Sequence, residues 1–174
     1  MNFKRIVEKL DLVLAVAKCM AIWFAYQLGS LLANSFHEES KWMGAMLASV
    51  SGIVVLQSDL KSSLKQGWLR IVGIFIGCVI AVLYLTWFRF SVYGMILSVW
   101  VLEVLCTVLG IPDNGKMATI TLLIVLLISV EVPNLSPLAN GAFRFIESSA
   151  GALVGIFLAW VVEKTKPYLR IGNK

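Results

Sequence analysis

Apolar residues fall into six blocks separated by short polar connections: Leu12 to Ala33, Trp42 to Leu56, Leu69 to Trp87, Phe90 to Ile111, Met117 to Val132 and Phe145 to Val162. A helix needs roughly 20 residues to cross about 30 Å of hydrocarbon, and most of the blocks reach that length. The pattern predicts an all-α, polytopic membrane protein with six transmembrane helices. The second and fifth blocks are shorter, and each runs into a polar stretch, QSDLKSSLKQG in one case and EVPNLSPLANG in the other. Paired short hydrophobic segments point to the binding region of a transporter. The polar stretches after them are expected to dip back as broken or re-entrant backbone, which is tolerated at membrane depth where it is buried or lines a wet cavity.

The blocks group into two halves. GWLRIVGIFIG, from Gly67 to Gly77, has a second copy of its skeleton in GAFRFIESSAG, from Gly141 to Gly151. Laid over each other without a gap, Gly67 meets Gly141, Arg70 meets Arg144 and Gly77 meets Gly151. Upstream, Ser62 meets Ser136 and Leu64 meets Leu138. A unit of three spans enters the membrane from the opposite side when it is repeated, so the halves are expected to be inverted repeats about an axis in the membrane plane. Repeat one covers about residues 11–88 and repeat two about 89–163. A cytoplasmic tail, 164–174, completes a single transmembrane domain over 1–174.

Composition strengthens this picture. The chain is 59% hydrophobic and only 14% charged, with a mean hydropathy of +0.87. A soluble domain of 174 residues has nowhere to put that much apolar surface. The N-terminal apolar run follows basic residues as in a signal peptide, but its length, its Lys18 and the spans after it predict an uncleaved first helix. Cys19, Cys78 and Cys106 all lie in apolar blocks, where they read as small packing residues rather than a disulfide framework.

The formal charge of +5 reflects topology, not nucleic-acid binding. With the N-terminus inside, Lys4, Arg5, Lys9, Lys61, Lys65, Arg70, Lys116, Lys164, Lys166, Arg170 and Lys174 are cytoplasmic. Only Lys41, Arg89 and Arg144 are outside. The bias places both termini in the cytoplasm. Trp42 and Trp87 then mark the outer interface, and Trp68 and Trp160 the inner one.

Candidate chemistry centres on Arg70 and Arg144. Each is expected to open a helix, Arg70 at the cytoplasmic face and Arg144 at the outer face, where a cation opposes the helix dipole and an anionic substrate offsets the cost. Against this stand the simpler uses, a snorkelling Arg70 and an Arg144 paired locally with Glu147 three residues on. Lys18 and Glu103, counted from their span ends, fall at equal depth. They are expected to pair between the first and fourth helices, as a structural tie, as a proton-coupling carboxylate with its counter-ion, or as part of an anion path. Gly73, Gly77, Gly151 and Gly155 have the spacing that lets the third and sixth helices pack closely. His37 in HEES is too isolated to hold a metal, so no metal and no cofactor are expected. Nor does any hydrolase, zinc-protease or phosphate-loop motif point to an enzyme.

The stretch WMGAMLASVSGIVVLQSDLKSSLKQGWLRIVGIFIGCVIAVL, with its degenerate copy GAFRFIESSAGALVGIFLAWVVEK, resembles the FUSC superfamily, the fusaric acid resistance and aromatic acid exporter proteins related to aluminium-activated malate transporters. The resemblance implies export of small organic anions, aromatic carboxylates among them, across a bacterial inner membrane. Arg70 and Arg144 match the family's arginine, and Gly73, Gly77 and Gly151 its packing positions. The short chain, without a second six-span block or a large cytoplasmic domain, is expected to act as a homodimer or higher homo-oligomer. Rival readings are a passive anion channel, which needs no proton gradient, and a non-transporting membrane scaffold or accessory subunit.

Overall fold

The computed structural model describes residues 12–36, 41–132 and 134–171. His37, the basic residues Lys4, Arg5 and Lys9, Lys174 and Pro133 lie outside the described residues. Among the described residues six helices follow one another: α1 (Leu12–Phe36), α2 (Lys41–Val55), α3 (Leu60–Trp87), α4 (Val92–Val108), α5 (Pro112–Glu131) and α6 (Pro137–Ile171). Each apolar block of the sequence has become one helix.

Two helices begin earlier than the apolar pattern suggests, and this overturns the expected re-entrant backbone. After α2 the chain is non-helical only from Leu56 to Asp59. Asp59 then caps α3, its side chain accepting from the Ser62 N–H at 2.8 Å. Glu163 of α6 accepts from the Leu60 N–H at 3.1 Å. Capping of this kind is worth about 1 kcal/mol, and here it lets Lys61, Ser62, Lys65 and Gln66 form the opening turns of a long helix. In the second half Pro137 occupies the first turn of α6, where its missing N–H costs nothing. Ser136 accepts from the Ala139 N–H with its hydroxyl and from the Asn140 N–H with its carbonyl.

α3 packs on α5 and α6, α2 packs on α1 and α6, and α4 leans mainly on α5. The two longest helices cross antiparallel, with Gly67 of α3 against Ile156 of α6 and Gly141 of α6 against Val82 of α3. Phe75 and Phe145 meet edge to face across the same contact, 5.9 Å apart. One apolar cluster joins Ile74, Cys78, Leu102, Leu122 and Leu126 of α3, α4 and α5. Another joins Ala17, Ala21, Leu56, Leu158 and Val162 at one end of the bundle.

The glycines pair helices differently from the sequence expectation. A Cβ on Gly77 would meet the backbone of Ala118 and Leu122 on α5, and one on Gly151 would overlap the backbone of Ala48 on α2. Gly155 likewise abuts the Gly52 carbonyl on α2. These small residues hold α3 to α5 and α6 to α2, not α3 to α6. Gly67 and Gly141 serve the α3–α6 crossing instead.

The outer surface is apolar. Trp23, Trp42, Trp68, Trp87, Trp100 and Trp160 are all exposed, as are Phe75, Leu83, Ile96, Leu127 and Leu153. So continuous an exposed apolar surface fits a lipid environment and not water. Among the described residues, Val13–Asn34, Leu60–Trp87 and Pro137–Thr165 are long and apolar enough to cross a membrane, while Trp42–Val55 and Val92–Val108 are shorter apolar helices.

Candidate functional site

Both predicted arginines are inside the protein. Arg70 is 1% exposed and Arg144 is 0% exposed. Neither opens a helix: Arg70 lies roughly 15 Å along α3 from Leu60, and Arg144 roughly 10 Å along α6 from Pro137. The dipole effect fades within the first turn, so it does not act on either guanidinium. The antiparallel crossing carries Gly67 onto Ile156 and Gly141 onto Val82. The centre of that pairing therefore lies near Ile74 and Ser148, and each arginine stands roughly 6 Å from it along its helix, on opposite sides.

Their surroundings differ. Arg70 Nε donates to Ser51 Oγ of α2 at 3.2 Å, and Nη1 donates to Met117 Sδ of α5 at 3.0 Å. A thioether is a weak acceptor, and no carboxylate pairs with Arg70 among the described residues. Its burial at the junction of α2, α3 and α5 also excludes the snorkelling arrangement. Arg144 has a counter-ion on its own helix: Nη1 lies 2.8 Å from Oε2 of Glu147, both side chains buried, at ion-pair distance without the alignment of a hydrogen bond. The local i,i+3 pair is therefore made, inside the bundle rather than at its surface. The Glu147 carboxylate fills the space in front of Gly44 on α2, where a Cβ would overlap it.

One turn before Arg144, on the same face, Asn140 is fully buried. Its Nδ2 donates to the Val125 carbonyl at 3.0 Å and to Ser129 Oγ at 2.8 Å, tying α6 to α5. Its Oδ1 has no hydrogen-bond partner among the described residues. Asn140, Arg144, Glu147 and Ser148 thus form a buried polar stripe on α6. Sequence reasoning missed Ser51, Met117, Gly44 and Asn140. Only Asn140 carried a signal, being a polar residue one turn from Arg144.

Lys18 and Glu103 are not brought together. α1 and α4 make no contact among the described residues, and both side chains are exposed. The turn of α1 that carries Lys18 packs among Leu56, Leu158 and Val162 at the end of the bundle. Glu103 instead accepts from Thr119 Oγ1 of α5 at 2.7 Å and lies against Gly115, where a Cβ would overlap its carboxylate. Counting from span ends places a residue along its own helix but does not say which helices meet, and α1 and α4 do not. The cysteines divide, Cys78 and Cys106 being buried and Cys19 exposed.

Two of the open grooves on the surface of the described residues bear on the site. One, of about 320 Å³, runs between α3 and α6, with Phe75, Val79, Val82, Leu138 and Phe145 in its walls. The other lies along α1 beside Val16, Met20 and Trp23. Neither is lined by Arg70, Arg144 or Glu147.

Among the described residues, an all-helical bundle with an apolar exterior defines an α-helical protein of the membrane class. The profile of the fusaric acid resistance protein-like family matches residues 20–158, spanning parts of all six helices. The chain belongs to that family, whose members are membrane transporters and exporters. Comparison with curated proteins and with solved structures gives no match.

Proposed function

We infer that this protein moves small organic anions across a bacterial inner membrane, through a six-span bundle of two inverted three-helix repeats with both termini in the cytoplasm. The observation that carries the reading is Arg70: a fully buried guanidinium faced by a hydroxyl and a thioether. Burying a cation without an anion costs several kcal/mol, and a substrate carboxylate offsets that cost with paired, charge-assisted hydrogen bonds.

Helix packing supports the inverted repeat, with 11–88 as one unit and 89–163 as the other. Exchanging α1, α2 and α3 for α4, α5 and α6 turns the set of packed helix pairs into itself. The exchange also carries Gly67 against Ile156 onto Gly141 against Val82, and Gly77 beside Leu122 onto Gly151 beside Ala48. The burial of both arginines favours a protein that exposes its site in steps over a permanently open channel. A homodimer suits the apolar exterior, in which a second copy and lipid compete for the same faces.

Purified protein in liposomes is expected to release trapped benzoate, used as probe, well above the leak of empty liposomes, and faster when a proton gradient is imposed. Release indifferent to the gradient would favour the passive channel. No release, together with co-purification of a second protein, would favour the scaffold.

A further inference from the structure

On the anion-transport reading, on which this inference rests, the two arginine environments are unequal in charge. In the second repeat, Glu147 follows Arg144 at i,i+3 and its carboxylate occupies the space in front of Gly44. The offset that carries Arg144 onto Arg70 carries Glu147 onto Gly73 and Ala118 onto Gly44. Where α6 and α2 set Glu147 against Gly44, the positions at that offset on α3 and α5 hold Gly73 and Ala118. The positive charge has been kept in both repeats, and the negative charge in one.

We propose that Glu147 is a built-in counter-ion that takes at Arg144 the place a substrate carboxylate takes at Arg70, so that the protein has a single anion site, at Arg70. Several consequences follow from the geometry. Arg144 with Glu147 is a neutral unit that fastens α6 near Gly44 of α2. Arg70 keeps its donors for a ligand between α2, α3 and α5, with the Ser51 hydroxyl and the Met117 thioether beside it. One guanidinium with no second cation contacting it among the described residues suits a singly charged carboxylate better than a dicarboxylate, because a second buried negative charge would lack a partner. Ligand binding at Arg70 makes the first repeat resemble the second, a charge-balanced contact at both crossings.

The test transplants the acid. Gly73→Glu/Ala118→Gly places a carboxylate three residues after Arg70 and copies the Glu147 and Gly44 pair at the offset positions, and Gly73→Gln/Ala118→Gly has the same shape without the charge. Thermal unfolding of the full chain in detergent is followed with and without benzoate. Wild type is expected to show a benzoate-dependent rise in midpoint, the Gln variant a smaller one because its neutral amide fills the same place without cancelling the charge, and the Glu variant to lose it. Arg70→Gln adds no bulk and is expected to lose the rise as well, which keeps the test open should the double variants fold poorly. A wild type that transports benzoate but whose rise survives in Arg70→Gln or in Gly73→Glu/Ala118→Gly overturns the single-site inference while leaving transport intact. A wild type that neither transports benzoate nor responds to it removes the transport reading, and the inference falls with it.

Discussion

Gly151→Leu is expected to abolish the folded bundle. Even a Cβ at this position would overlap the Ala48 backbone, and the neighbouring Gly155 already abuts the Gly52 carbonyl, so α6 cannot accept the side chain without moving off α2. Overpacking against a flexible side chain typically costs about 1–3 kcal/mol. Here the obstacle is backbone on a rigid helix, and a loss of at least about 3 kcal/mol is expected. The measurement is size-exclusion chromatography and thermal unfolding in detergent, with Gly110→Ala as the contrast. Gly110 has φ +70 and open space around it, so that variant carries only the local cost of a left-handed backbone, about 1–2 kcal/mol. Equal behaviour of the two variants would mean that close α2–α6 packing does not hold the bundle together.

Arg144→Met carries the second large effect. Removing one partner of a buried ion pair leaves the other charge uncompensated, a loss of about 3–5 kcal/mol, whereas replacing both partners is often close to neutral. Arg144→Met should therefore lower the unfolding midpoint sharply, and Arg144→Met/Glu147→Gln should recover most of it. A double-mutant cycle isolates the coupling between the two residues. If the single and double variants unfold alike, Glu147 does not depend on Arg144 and the neutral unit on α6 is not formed.

Hydropathy made the helices legible but not their beginnings. Lys61, Ser62, Lys65 and Gln66 read as a connection because they are polar, yet they are helical, started by the Asp59 cap and projecting beyond the apolar part of α3. The same misreading moved Arg70 from the interior of a helix to its first turn. Glycine spacing announced close contacts without naming the partners, since a small residue permits approach by any neighbouring helix. Gly77 proved to face α5 and Gly151 α2.

Buried charge was half legible. The i,i+3 spacing of Arg144 and Glu147 is visible in one dimension, and the pair forms. The partners of Arg70 are not: Ser51 and Met117 lie on two other helices, and nothing in their local sequence marks them as facing a guanidinium. For Lys18 and Glu103 the depth argument failed because α1 and α4 do not meet. Glu103 found Thr119 on the adjacent α5, a hydroxyl that no charge-pairing rule would select.

The most direct test of anion movement through Arg70 is benzoate release from liposomes reconstituted at matched density with wild type, Arg70→Lys and Arg70→Gln. Loss of at least about 90% of the protein-dependent rate is expected in Arg70→Gln, equivalent to about 1.4 kcal/mol or more of lost stabilisation. Arg70→Lys should fall between, since an ammonium keeps the charge but not the bidentate geometry. Wild-type rates in Arg70→Gln, with the bundle intact by size-exclusion chromatography, would contradict the assignment of Arg70 as the site where the anion binds.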